Sequence, residues 1–69
     1  MMNIDPNGCA ELVESIHQPW RATVGECLRR WRALDMPIRE RSYLIVQEGS
    51  DRQYTLNARK IAVLAARLG

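Results

Sequence analysis

The sequence is poor in the side chains on which catalysis and metal binding most often depend. Its 69 residues include one histidine, two cysteines and no phenylalanine, and only two Trp and two Tyr residues are aromatic. A zinc site needs three or four suitably spaced ligands, and an activated nucleophile needs a base beside it. His17, Cys9, Cys27 and the scattered carboxylates fit neither pattern. We therefore expect neither an enzyme nor a protein that carries a metal or another cofactor.

Long apolar runs are also missing. No stretch approaches the ~20 residues that a membrane-spanning helix needs, and the first residues lack the basic region and apolar segment of a signal peptide. These absences predict a cytoplasmic protein in which Cys9 and Cys27 are free, buried thiols, with a disulfide between them as the alternative. A chain of this length forms one domain, residues 1–69, with a thin core, so a homodimer is expected to add buried surface.

Charge is what the sequence does supply. The net charge is +2, but residues 1–19 sum to −3, residues 20–41 to +3 and residues 42–69 to +2. Lys60 is the one basic residue that is not an arginine. Arg is the side chain suited to paired hydrogen bonds with phosphate groups and guanine edges, so the basic centre of the chain is compatible with a nucleic acid as partner. Charge alone favours the alternative, a solvated face that only keeps the domain soluble.

The first half of the chain predicts two helices. The first is predicted over residues 9–18 and ends at Pro19. Thr23 and Glu26 have the spacing of a capping box, in which the two residues satisfy the free amides at the start of a helix. A second helix is therefore predicted over residues 23–34. Its buried stripe consists of Val24, Cys27, Leu28, Trp31 and Leu34.

The second half begins with a predicted β-hairpin. Residues 43–46 and 54–56 are rich in β-branched and aromatic residues, and Gly49-Ser50 fits a two-residue type II′ turn. That register places Ile45 opposite Tyr54. It also puts four side chains on one face of the hairpin, those of Tyr43, Ile45, Tyr54 and Leu56. The alternative for the first part of this segment is a helix over residues 38–48.

A third helix is predicted over residues 58–68. Asn57 is a favourable N-cap residue, and the segment contains no Gly or Pro. Its buried stripe consists of Ile61, Leu64, Ala65 and Leu68. The predicted fold class is therefore mostly α with a β-hairpin, in the order α-α-β-β-α.

This order of elements and two parts of the sequence resemble the winged helix-turn-helix superfamily. The first part is discontinuous and is similar in type and spacing to its helix-turn-recognition-helix; it consists of residues 10–12, 21–24, 28–30 and Leu34. Residues 51–60 resemble the passage that leaves the wing in MarR- and PadR-type regulators, although Lys60 stands where those families commonly have Gly. The resemblance implies a DNA-binding transcriptional regulator of winged-helix type, a small repressor that acts as a homodimer.

The resemblance also implies which residues contact double-stranded DNA. The second helix would enter the major groove by its N-terminal end, with the hairpin as the wing beside it. The candidate DNA-binding residues are Arg21, Thr23, Glu26, Arg29, Arg30 and Arg52. The acidic first helix and the acidic residues at the hairpin tip favour an alternative: a winged-helix-like module that binds a protein partner, as a small inhibitor or accessory subunit does.

Overall fold

Four β-strands and three α-helices make up the part of the chain that the computed structural model describes, residues 4–14, 19–48 and 51–68. The elements are β1 (Cys9–Val13), β2 (Trp20–Thr23), α1 (Val24–Ala33), α2 (Met36–Arg41), β3 (Tyr43–Glu48), β4 (Arg52–Leu56) and α3 (Ala58–Leu68). All neighbouring strands pair antiparallel, in the order β2-β1-β3-β4. The predicted α-α-β-β-α winged-helix fold is therefore wrong, and the observed order is β-β-α-α-β-β-α.

The segment predicted as the first helix begins with a strand, and that strand is central to the sheet. β1 lies between β2 and β3, so it pairs with a neighbour on both sides. Ala10 and Leu12 are buried toward the helices and alternate with Glu11, which lies on the other face. The prediction failed because the segment is too short to separate a helical period from strand alternation, and pairing on both edges outweighs local propensity. Residues 15–18, with His17, lie outside the described part of the chain.

The predicted hairpin is confirmed, but its register is shifted. β3 and β4 pair Ile45 with Thr55 and Glu48 with Arg52, whereas the sequence predicts Ile45 opposite Tyr54. The pairing of Glu48 with Arg52 places opposite charges across the end of the hairpin, which is favourable. The predicted type II′ turn at residues 49–50 lies outside the described residues.

The shifted register changes which side chains share a face. The hairpin side chains on the helix-covered face are those of Leu44, Val46, Tyr54 and Leu56, with the Glu48–Arg52 pair on the same face at the end of the hairpin. Tyr43 and Ile45 lie on the opposite face instead, because successive residues of a strand point to opposite sides. A slip of one residue in one strand is therefore enough to place half of the predicted set on the wrong side of the sheet.

Helices α1 and α3 begin at the N-capping residues that the sequence predicts. α1 confirms the second predicted helix, and the backbone N–H of Glu26 donates to the Thr23 hydroxyl at 3.2 Å. α3 confirms the third, and the backbone N–H of Lys60 donates to Asn57 Oδ1 at 3.0 Å. α2 is an additional short helix with Pro37 in its first turn and no buried residue. Among the described helices, none combines the length and the apolar character needed to cross a bilayer.

The three helices, together called the helical layer, pack on one face of the sheet. The most deeply buried large side chains lie between the two layers: Leu12, Leu44, Leu56, Ile61, Val24 and Cys27. No described helix packs on the opposite side of the sheet, which we call the uncovered face. Its side chains are those of Cys9, Glu11, Val13, Arg21, Thr23, Tyr43, Ile45, Gln47, Gln53 and Thr55.

Candidate functional site

Charged residues are distributed unequally between the helices and the strands. The helical layer holds eight basic and two acidic residues, a net charge of +6. The strands hold two basic and two acidic residues and are neutral as a set. The other acidic residues lie in the connections, at Asp5, Glu14, Asp35 and Asp51. The modest net charge of the chain therefore conceals a strongly basic surface on one side of the sheet.

Arg30, a predicted DNA contact, is bound by the protein itself. Its Nε donates to Oε2 of Glu14 at 2.6 Å, and its guanidinium lies 5.0 Å from the centre of the Trp20 ring. Glu14 is only 8% exposed, and a carboxylate this deeply buried is costly unless a cation is paired with it. Arg30 thus ties α1 to the ends of β1 and β2.

Two further arginines bind the C-terminal ends of helices. Arg39 donates to the carbonyl oxygens of Arg32 and Leu34, and its guanidinium lies 5.2 Å from the centre of the Trp31 ring. Arg32 in turn donates to the carbonyl oxygen of Ala65 in α3. The last carbonyls of a helix lack partners within it and carry partial negative charge, so both cations stabilise the helix ends that they bind.

Five other basic side chains of the helical layer are exposed and make no hydrogen bond or ion pair with the described residues. They are Arg29, Arg41, Arg59, Lys60 and Arg67. Three of the five belong to α3, whose 11 residues include no acidic one. Basic groups without such contacts among the described residues are available to an anionic partner.

Three of the predicted contacts meet at a groove on the uncovered face. Arg21, Thr23 and Glu26 line this groove of about 480 Å³, together with Cys9 and Glu11. Arg21 Nε donates to Glu11 Oε1 at 2.7 Å, with 82% of the Arg21 side chain exposed. Exposed pairs of this kind contribute at most ~1 kcal/mol, so Arg21 can exchange partners at little cost.

The N-terminus of α1 is closed by the segment that precedes β1. The backbone N–H of Val24 donates to Gly8 O, and that of Gly25 donates to Pro6 O, each at 2.9 Å. The Thr23 hydroxyl accepts a further amide. These are the amides that would otherwise bind an anion at a helix N-terminus. These amides are therefore not available to a phosphate, and residues 6–8 cover the end of α1 that the predicted mechanism places over base edges.

The last two candidates lie apart from this groove. Arg29 borders a second groove of about 310 Å³ between α1 and α3, together with Arg32 and Leu68. Arg52 is on β4, at the opposite edge of the sheet from β2, which carries Arg21. The six predicted contacts thus do not form one interface: three line the uncovered-face groove, one is paired with a buried carboxylate, one faces the helical groove and one lies at the far edge.

The sequence interpretation overlooked α3 as part of the charged surface. Arg59, Lys60 and Arg67 all lie off its buried stripe, and all three are exposed. The signal was present in the sequence as three cations without an anion in one amphipathic segment. It becomes informative only when α3 is known to lie beside α1 in the same layer.

The two cysteines are free thiols, as predicted, but the prediction that both are buried is wrong for Cys9. Cys9 is exposed and lines the groove of the uncovered face. Cys27 is buried in the core, and burial raises the pKa of its thiol to about 11. Within residues 4–14, 19–48 and 51–68, no group of three or more His, Cys, Asp or Glu side chains is placed to hold a metal ion.

Comparison with known proteins supplies no relative for this chain: no family model, no curated protein and no solved structure matches it. The likeness to MarR- and PadR-type regulators stays a resemblance of sequence stretches, carried by a different fold. Any statement of function must therefore depend on the charge and geometry described above.

Proposed function

We propose that this domain binds DNA through the outer surface of its helical layer. The observation that carries the proposal is the net charge of +6 on the helices beside a neutral set of strands. Duplex DNA carries about one negative charge per 1.7 Å of its axis, and neutralising phosphates releases counterions. A basic surface therefore gains both long-range attraction and binding free energy at such a polymer.

The proposed binding does not use the winged-helix arrangement. Arg30 is paired with Glu14, and Arg52 lies on the far edge of the sheet. Arg29 is the exposed basic residue among the predicted contacts of α1 that makes no ion pair with the described residues, so it is the α1 residue that we assign to phosphate. A role as a transcriptional repressor and a homodimeric state stay predictions.

Salt dependence of binding tests the proposal. With five phosphate contacts, log K against log salt concentration should have a slope of about −4.5. Arg29→Ala should reduce the magnitude of that slope by about 0.9, because one contact is lost. Arg21→Ala removes the same charge from the uncovered face and should leave the slope unchanged. A wild-type protein that ignores DNA at low ionic strength would exclude the proposal.

The uncovered face supports a second candidate, binding of a protein partner. Tyr43 is 40% exposed there, Ile45 is half-buried, and the groove of about 480 Å³ lies on the same side of the sheet. Exposed aromatic residues are common anchors of protein interfaces. A protein that co-purifies with the wild type and Arg29→Ala but is lost with Tyr43→Asp would establish this role; equal retention by all three would refute it.

A further inference from the structure

We propose that α3 is the element that lies on the DNA, crossing the groove of a B-form duplex and contacting phosphates without reading the base sequence. This inference rests on the proposed function. It adds which helix contacts the DNA and that the bound form is a B-form duplex. It departs from the sequence prediction, in which the helix at residues 23–34 reads bases.

The outward side of α3 carries cations near both ends and small apolar residues between them. With 3.6 residues per turn, Arg59, Val63 and Ala66 lie opposite the buried stripe, and Lys60 and Arg67 lie along one flank. Val63 is 55% exposed, so this side of the helix faces solvent rather than another described element. No acidic residue of α3 opposes the approach of a phosphate.

The spacing of these cations suits a duplex groove. Arg59 and Arg67 are eight residues apart, which is about 12 Å along a helix axis. The major groove of B-form DNA is about 12 Å wide. A helix laid across it can place one cation near the phosphates of each strand. The deep, narrow major groove of an RNA duplex does not admit side chains in this way.

The residues between the cations provide no hydrogen-bonding groups for base edges. Ala62, Val63 and Ala66 have neither donors nor acceptors in their side chains. Sequence is read mainly by hydrogen bonds to base edges, whereas phosphate contacts fix position only. Binding through α3 is therefore expected to tolerate changes of DNA sequence.

The placement of the aromatic residues excludes a stacking mode for single strands on this surface. Proteins that hold single-stranded nucleic acid stack the bases on aromatic side chains. All four Trp and Tyr residues lie elsewhere: Trp31 is buried, Trp20 and Tyr54 are half-buried in strands β2 and β4, and Tyr43 is on the uncovered face. A duplex, whose bases are already stacked, needs no such platform.

Fluorescence anisotropy with labelled oligonucleotides of equal length tests the inference. The wild-type protein is titrated with two DNA duplexes of unrelated sequence, one single strand and one RNA duplex. The two DNA duplexes should bind within about threefold of each other, and both should bind more tightly than the single strand or the RNA duplex. The double variant Arg59→Ala/Arg67→Ala should lower the magnitude of the salt slope by about 1.8.

A matched control changes the charge by the same two units on the uncovered face. Arg21→Glu should leave the salt slope unchanged, with circular dichroism showing that this variant and the double variant are folded. Equal loss in both variants, tighter binding of the single strand or the RNA duplex, or a difference above tenfold between the two DNA sequences would overturn the role of α3 while DNA or RNA binding itself stands. Failure of the wild type to bind any of the four oligonucleotides would instead remove the proposed function.

Discussion

The helical layer and the uncovered face are both open to solvent, yet they differ in how their charges are used. On the uncovered face the two charged side chains, Arg21 and Glu11, are paired with each other at 2.7 Å. On the helical layer eight basic residues face only two acidic ones. The uncovered face is therefore suited to a partner whose surface is uncharged or of mixed charge. The helical layer is suited to a polyanion. This division cannot be read from the charge of the chain as a whole.

The largest expected effect is a loss of stability, and it depends on which side of the sheet a residue of β3 faces. Leu44 is fully buried against the helices, whereas its neighbour Ile45 is half-buried on the uncovered face. Leu44→Ala should lower the free energy of unfolding by about 2–5 kcal/mol, and Ile45→Ala by about 1 kcal/mol. Because a domain of this size has a total stability of only about 3–5 kcal/mol, the first variant should be largely unfolded.

Urea denaturation followed by tryptophan fluorescence measures both values. Core positions and uncovered positions alternate along β3, so the comparison tests the observed register directly. If Ile45→Ala were the more damaging change, the faces of β3 would be exchanged. The register predicted from the sequence, with Tyr43 and Ile45 on the same side as Leu56, would then be restored.

The next effect separates two adjacent arginines of α1. Arg30→Ala leaves the buried Glu14 carboxylate without its partner, and should cost about 1–3 kcal/mol of stability. Arg29→Ala removes the same charge from an exposed position and should change stability by at most about 0.5 kcal/mol, while weakening DNA binding. Urea denaturation of the two variants gives the comparison.

A second substitution distinguishes the lost pairing from lost packing on Trp20. Adding Glu14→Gln to Arg30→Ala should recover part of the stability, because a buried neutral amide costs less than a buried unpaired carboxylate. If Glu14→Gln brings no recovery, contact of Arg30 with the Trp20 ring, and not the ion pair, stabilises this corner of the fold.

The two longer helices could be predicted from the sequence because each has an N-capping residue. α1 has Thr23 as N-cap, α3 has Asn57, and both have several turns of periodic burial. The hairpin could be recognised from its composition. β1 could not, because its identity depends on pairing Leu12 with Leu44, which is distant in the chain. A five-residue segment does not reveal such a partner.

The candidate site was predictable in its chemistry but not in its geometry. The excess of arginine in the sequence corresponds to a basic helical layer in the structure, and an anionic partner stays a proposal. Which arginines are free depends on groups far away in sequence: Arg30 meets Glu14, and Arg32 meets the carbonyl of Ala65, 33 residues along the chain. The position of a guanidinium in the sequence does not show whether a carboxylate, a helix end or water faces it.

A smaller effect is expected where an arginine closes a helix end. Arg39→Ala removes two hydrogen bonds to carbonyls at the end of α1 and the contact with Trp31. The expected cost is about 1–2 kcal/mol, which for a domain of this size lowers the melting temperature by about 4–16 °C. Arg41→Ala, in the same short helix but without such contacts among the described residues, should melt within about 3 °C of the wild type. Equal melting temperatures for the two variants would contradict a stabilising role of Arg39.

Thiol labelling is expected to change stability least. It should also distinguish the two sides of the sheet most clearly, by the reactivity of one cysteine on each side. Cys9 lies on the uncovered face, and Cys27 lies on the side of α1 that faces the sheet, with its thiol pKa raised to about 11 by burial. The thiolate is the reactive form, and a thiol with that pKa is about 0.1% ionised at pH 8. An alkylating reagent at pH 8 should therefore modify one cysteine in the folded protein and both in urea, with Cys9→Ser as the variant that is unlabelled when folded. Modification of Cys9 should leave DNA binding unchanged, because the thiol is on the opposite side of the sheet from the helical layer. If it abolished binding while the fold was retained, DNA would be contacting the uncovered face and the division between the two sides would be reversed.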